Sequence, residues 1–259
     1  MEHKPAMRKL ILPILAISLL PLLAAKQFNT GQRPFTFSAA ATPIASYVQS
    51  CSGTVATGNC ALTGVAAGDL IVTCPNFSIA GVAVLTSISD GTSNLTLLPV
   101  EYAAPSVYSA IQCGYLLNAN SGNRTYTFSF SPAAGGGNFI VAEFHSTSGS
   151  WYLDTNVDAP YGFNVGGANG TASSSGSLAS ITASGAEVIV DATQLSQVFA
   201  TASSPLISSF TPTEFSLSPV QTSDHEYYLL NQYISSGAAT LTYSTATNWM
   251  NYAVAFNAH

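Results

Sequence analysis

Charge is the scarcest commodity in this chain. Only 7% of its 259 residues are Asp, Glu, Lys or Arg, against roughly 25% in an average soluble domain. The polar surface must therefore be built from Ser, Thr, Asn, Gln and Gly, a composition typical of exported β-proteins rather than cytosolic enzymes. Positive charge is scarcer still. The basic residues are Lys4, Arg8, Lys9, Lys26, Arg33 and Arg124, so from residue 42 onward one arginine stands against eleven carboxylates, a net −10. Such a body cannot neutralise a phosphate backbone, which excludes nucleic acid as a partner. It is also repelled by anionic head groups, so no membrane association is expected once the N-terminal segment is gone. With few ion pairs to lose, the domain is expected to tolerate acid.

Helical periodicity is also missing. Beyond the N-terminal segment, no amphipathic stretch of period 3.6 extends past a turn or two. No C-x-x-C or H-x-x-x-H spacing is present, so neither a zinc site nor a cofactor is expected. The chain has many serines but no G-x-S-x-G elbow.

What is present begins with an export signal. Lys4, Arg8 and Lys9 precede an unbroken apolar run from Leu10 to Ala25, LILPILAISLLPLLAA, ended by Lys26. This predicts a cleavable signal peptide over residues 1–25, with Ala25 before the cut. An uncleaved anchor is the alternative, but the run is short for a bilayer and Pro13 and Pro21 interrupt it. Residues 26–42 read as a flexible leader. The protein is expected to be secreted or extracellular, with periplasm or cell surface as variants.

The four cysteines, Cys51, Cys60, Cys74 and Cys113, all lie in the exported part and allow three pairings. Cys51 and Cys60 bracket a turn-like SGTVATGN, which suits a local bridge. Cys74 and Cys113 sit in strand-like runs, LIVTC and SAIQCGYLL, which suits a bridge between neighbouring strands. Free buried thiols are the alternative to two disulfides.

From Ala45 onward, short apolar or alternating runs recur every 10 to 15 residues or so, separated by Gly, Ser, Asn and Pro. In Arg124 to Ser131, Tyr126, Phe128 and Phe130 fall on one face. In the last run Met250, Tyr252, Val254 and Phe256 do the same. The reading is all-β: residues 43–259 form a single large antiparallel two-sheet β-sandwich, jelly-roll or concanavalin-like. The stretch Asn164 to Ser177 is read as a surface loop rather than a linker between two smaller sandwiches.

The succession SYVQS, GVAAGDLIVT, SISDGTSN, FIVAEFHSTSG, a Ser/Gly-rich stretch, GAEVIVDAT and TLTYSTATNWMNYAVAF resembles a group of secreted bacterial β-sandwich proteins over roughly residues 45 to 257. The resemblance implies a jelly-roll or lectin-like sandwich and no defined activity. The four cysteines are not part of the resemblance.

Several constellations could carry chemistry. Glu143 and His145 share a strand face, where a carboxylate can orient an imidazole; a structural glutamate is the alternative. Asp224 and Glu226, flanking His225, offer paired carboxylates of the kind that hydrolyse glycosides. Asp154, Asn156 and Asp158 begin a calcium-type loop, which then fails at Ala159 and Val165. Four N-x-S/T triplets start at Asn76, Asn94, Asn123 and Asn169; they would be glycosylation acceptors in a eukaryotic secretory pathway, and chance in so Ser/Thr/Asn-rich a chain explains them equally well. Trp151, Tyr152 and Tyr161 beside Asp154, Asn156 and Asp158 form a candidate carbohydrate-binding set, because aromatic faces stack on sugars and amides take hydroxyls; a core role for Trp151 is the alternative. The sequence thus points first to a non-enzymatic module binding a neutral glycan or cell-surface polymer. A polysaccharide hydrolase using two carboxylates comes next, and a structural subunit of an extracellular assembly third.

Overall fold

The computed structural model describes residues 44–78, 83–102 and 109–154, then the strands at 173–177, 181–183, 186–195, 213–214, 223–231, 234–237, 240–247 and 249–258. The expected signal peptide 1–25, the expected leader 26–42, Asn156, Asp158, Tyr161 and Asn169 lie outside the described residues, as does most of the expected loop from Asn164 to Ser177. Residues Pro43–His259 form one compact unit.

All regular elements among the described residues are strands: β1 Ala45–Thr54, β2 Asn59–Val65, β3 Leu70–Thr73, β4 Asn76–Ser78, β5 Val84–Ser89, β6 Thr96–Leu97, β7 Glu101–Tyr102, β8 Ser109–Ile111, β9 Gly114–Leu116 and β10 Gly122–Ser131. These are followed by β11 Gly137–Ser146, β12 Trp151–Leu153, β13 Ser173–Ser177, β14 Ile181–Ala183, β15 Ala186–Leu195, β16 Thr213–Glu214, β17 Ser223–Asn231, β18 Ile234–Gly237, β19 Thr240–Thr247 and β20 Trp249–Ala258. Every pairing between them is antiparallel. Among the described residues the all-β, helix-free expectation is met.

The pairing is more divided than two sheets. A central sheet runs β6-β9-β3-β11-β4-β8-β7, with β1 along the other side of β11. A second sheet is β2-β10-β5, a third is β12-β20-β15-β17-β16, and β13-β19 and β14-β18 form two short ladders. The central sheet buries both faces. Leu70 and Val72 of β3, with Ile140, Ala142 and Phe144 of β11, join Val188, Val190, Tyr252, Val254 and Phe256 of the third sheet in one core. The alternate residues Ile71, Phe139 and Val141 join Leu62, Leu85, Ile88, Tyr126 and Phe128 of the second sheet in another. That explains why LIVT is a continuous apolar run instead of an alternating one: a strand covered on both sides has no polar face. Each fully buried Phe, Leu or Ile contributes about 1.5–3 kcal/mol.

Aromatic pairs join the layers. Tyr47 stacks on Tyr227 at 5.0 Å and Tyr115 meets Phe256 edge-on at 5.3 Å. On the other side, Phe128 stacks on Phe139 at 4.0 Å. In β10, Tyr126 and Phe128 are buried between exposed Thr125, Thr127 and Ser129, as the period of two requires, while Phe130 is half-buried. In β20 the alternation is less clean: Ala253 and Ala255 are buried as well as Tyr252, Val254 and Phe256.

Both disulfides form. Cys51–Cys60 ties β1 of the central sheet to β2 of the second sheet, and Cys74–Cys113 joins the neighbouring β3 and β9 just beyond their ends. Two such bonds, with no free cysteine, are consistent with an oxidising, extracellular environment. Arg124 donates to the Asn120 and Ser121 carbonyls and to Thr92 Oγ1, so its charge serves two loops.

Candidate functional site

Register brings polar residues together at two places on the fold. The first lies at one end of the central sheet, across β1, β11 and the start of β3. Register sets Gln49 opposite Glu143, and Phe144 opposite Leu70, so His145 falls beside Asp69. Glu143 is wholly buried and Asp69 nearly so. Gln49 Nε2 donates to Glu143 Oε2 at 2.6 Å and to the Thr63 carbonyl at 2.8 Å. The Ala66 amide donates to Glu143 Oε1 at 3.0 Å. Asp69 Oδ1 lies 2.8 Å from His145 Nδ1. The His145 side chain is 49% exposed and that of Asp69 only 3%.

Burial pushes the Glu143 carboxyl above its ordinary range. The Ala66 and Gln49 hydrogen bonds oppose that shift, and the adjoining Asp69 carboxyl reinforces it. Tyr126, packed beneath, is raised by burial first and by Asp90 and Glu143 next. The sequence reading paired Glu143 with His145 on one face, and that holds. It missed Gln49 and Asp69, which sit 94 and 74 positions away in the chain. Among the described residues no three of His, Cys, Asp and Glu are placed to hold a metal ion.

The second place is the face of the third sheet turned away from the core just described. Trp151 is buried at 4% exposure and packs in that core. Its ring offers no exposed face, whereas the ring of the neighbouring Tyr152 is 57% exposed. Asp154 is buried, with its amide bonded to the Ala255 carbonyl at 2.9 Å. Tyr152 lies on edge strand β12 opposite Asn257 of β20, which in turn lies opposite Glu187 of β15. Facing residues of an antiparallel pair share a side, with Cβ atoms about 4.5–5.5 Å apart. Tyr152, Asn257 and Glu187 therefore form one row.

Further along the same face, Glu214, Glu226 and Asp191 occupy a second row on β16, β17 and β15. It lies about 13 Å from the first by strand rise. Asp224 of the sequence reading lies opposite Thr193, and His225 opposite Ala192. The β20 member of the carboxylate row, Ala253, is buried. Of the sequons, Asn76 is buried while Asn94 and Asn123 are exposed.

No protein-family model, no curated protein and no solved structure matches this chain.

Proposed function

We propose that this is a secreted module that binds a neutral glycan or cell-surface polymer, built as a jelly-roll or concanavalin-like variant of the β-sandwich. The observation that carries it is the row Tyr152–Asn257–Glu187, with its tyrosine more than half exposed on an edge strand. A ring face takes the apolar side of a sugar, and an amide and a carboxylate take hydroxyls. The deficit of basic residues favours a neutral ligand, since an anionic one is repelled. Binding is accordingly weak and insensitive to salt. Titration of the exported protein with a panel of neutral oligosaccharides tests this. Tyr152→Ala is expected to lose binding with its melting temperature unchanged. Equal binding by the variant, or no retention by the unaltered protein, overturns it.

A second reading, hydrolysis of a polysaccharide, is favoured by the Glu214–Glu226–Asp191 row, which sets carboxylate-bearing residues on adjacent strands, the residue type that glycoside hydrolysis uses. It ranks below binding because the row runs into the buried Ala253. Release of reducing ends that Glu226→Gln abolishes would reverse that order.

A further inference from the structure

Beyond glycan binding, the geometry points to a hydrolytic site at the end of the central sheet, in which Ser46 is the nucleophile, His145 the general base and Asp69 the residue that positions the imidazole, acting on esters of short acyl chains.

Two facing strand positions and the residue just before β3 supply it. Ser46 of β1 lies directly opposite His145 of β11, and the two share a face of the sheet with Cβ atoms about 4.5–5.5 Å apart. On the far side of β11, Asp69 Oδ1 sits 2.8 Å from His145 Nδ1. The two nitrogens of an imidazole lie on opposite edges of the ring. A ring held at Asp69 by its Nδ1 presents Nε2 at its other edge, and the register sets Ser46 on the strand facing it. This is the order of roles that activates a serine: a buried carboxylate, an oriented imidazole and an accessible hydroxyl. The exposures follow the same gradient, with Asp69 buried, His145 half exposed and Ser46 exposed. Asp69 is itself held through Glu143, which Gln49 and the Ala66 amide fix in place.

Two features bear on the substrate. The β1–β11 register shifts between Tyr47 and Gln49, which takes Val48 out of the ladder two residues after Ser46; bulges re-aim side chains in this way beside active sites. Ile44 and Val48, on either side of Ser46, are among the few large hydrophobic residues left exposed, at 40% and 45%. They suit a short apolar acyl group, and the acidic body disfavours an anionic ester.

The chemistry balances without a cofactor. Ser46 Oγ attacks the ester carbonyl carbon as its proton passes to His145 Nε2. The carbon–oxygen bond to the alcohol breaks, and the alcohol leaves with that proton. Water, deprotonated by His145, then attacks the acyl–serine ester, releasing the carboxylic acid and restoring Ser46.

The test uses the whole exported protein with a fluorophosphonate probe, and p-nitrophenyl acetate as substrate. Peptide mapping is expected to place the phosphonyl adduct on Ser46. Ser46→Ala should lose the label while melting as the unaltered protein does, because Ser46 is exposed. His145→Ala should lower the labelling rate by about 10²- to 10⁴-fold. A folded, unaltered protein that takes no label, an adduct on another serine, or Ser46→Ala hydrolysing acetate at the unaltered rate each overturns the assignment.

Discussion

Gln49 and Glu143 meet side chain to side chain at 2.6 Å, with Glu143 wholly out of solvent. A carboxyl so placed is easier to keep neutral than charged, and its folded value stands above that of the unfolded chain.

The sign of the resulting pH dependence follows. Between the two values the folded state holds a proton that the unfolded state has released, so stability falls as pH rises. The contribution is full below the ordinary glutamate range and is lost as pH climbs through the elevated folded value. Thermal melts of the unaltered protein are expected to give a higher midpoint near about pH 5 than near about pH 8. Glu143→Gln keeps the shape and removes the titration, so its two midpoints should draw together. An unchanged gap would show that another group sets the slope.

The two disulfides should differ in worth. Cys74–Cys113 closes 39 positions and Cys51–Cys60 closes 9. Chain-entropy reasoning gives about 4 kcal/mol for the former and about 2.5–3 kcal/mol for the latter. Denaturant unfolding of the paired alanine variants should rank them in that order, the more so because Cys74 and Cys113 are buried in the core.

Gly137 tolerates no side chain. Its φ is +132°, and a Cβ there would collide with the Asn76 carbonyl oxygen. Strain and overpacking together should make Gly137→Ala cost roughly 3–5 kcal/mol, whereas alanine at Gly136, with open space around it, should be nearly neutral. Equal melting of the two variants would contradict the clash.

Trp151 and Tyr152, neighbours in sequence, should respond oppositely. Trp151→Ala empties a core position and should cost about 3–5 kcal/mol. Tyr152→Ala removes an exposed ring and should change stability by no more than about 0.5 kcal/mol. Urea melts of both are sufficient to check this.

Local chemistry made the strands legible. The alternation around Tyr126 and Phe128 marks β10, and the loop between Cys51 and Cys60 marks a turn with a bridge across it. The layering was less legible. A strand covered on one side and one covered on both differ only in whether the second set of residues is apolar, and in β20 that set is alanine, which reads as neither. The site was least legible, because it is made by register. Nothing near Asp69 in the chain announces His145, 76 positions on, and nothing near Tyr152 announces Asn257. Even the order Trp151-Tyr152 gives two aromatics with no sign of which one faces inward.

The double burial of the central sheet has a consequence for how the domain comes apart. β3 and β11 give alternate side chains to two cores, so neither core can open while the other keeps these strands in place. Losing one layer strips a face from the plank on which the other rests. The described residues should then behave as one cooperative unit, with the amides of Val141 and Ala142 exchanging with solvent only when the whole unit unfolds.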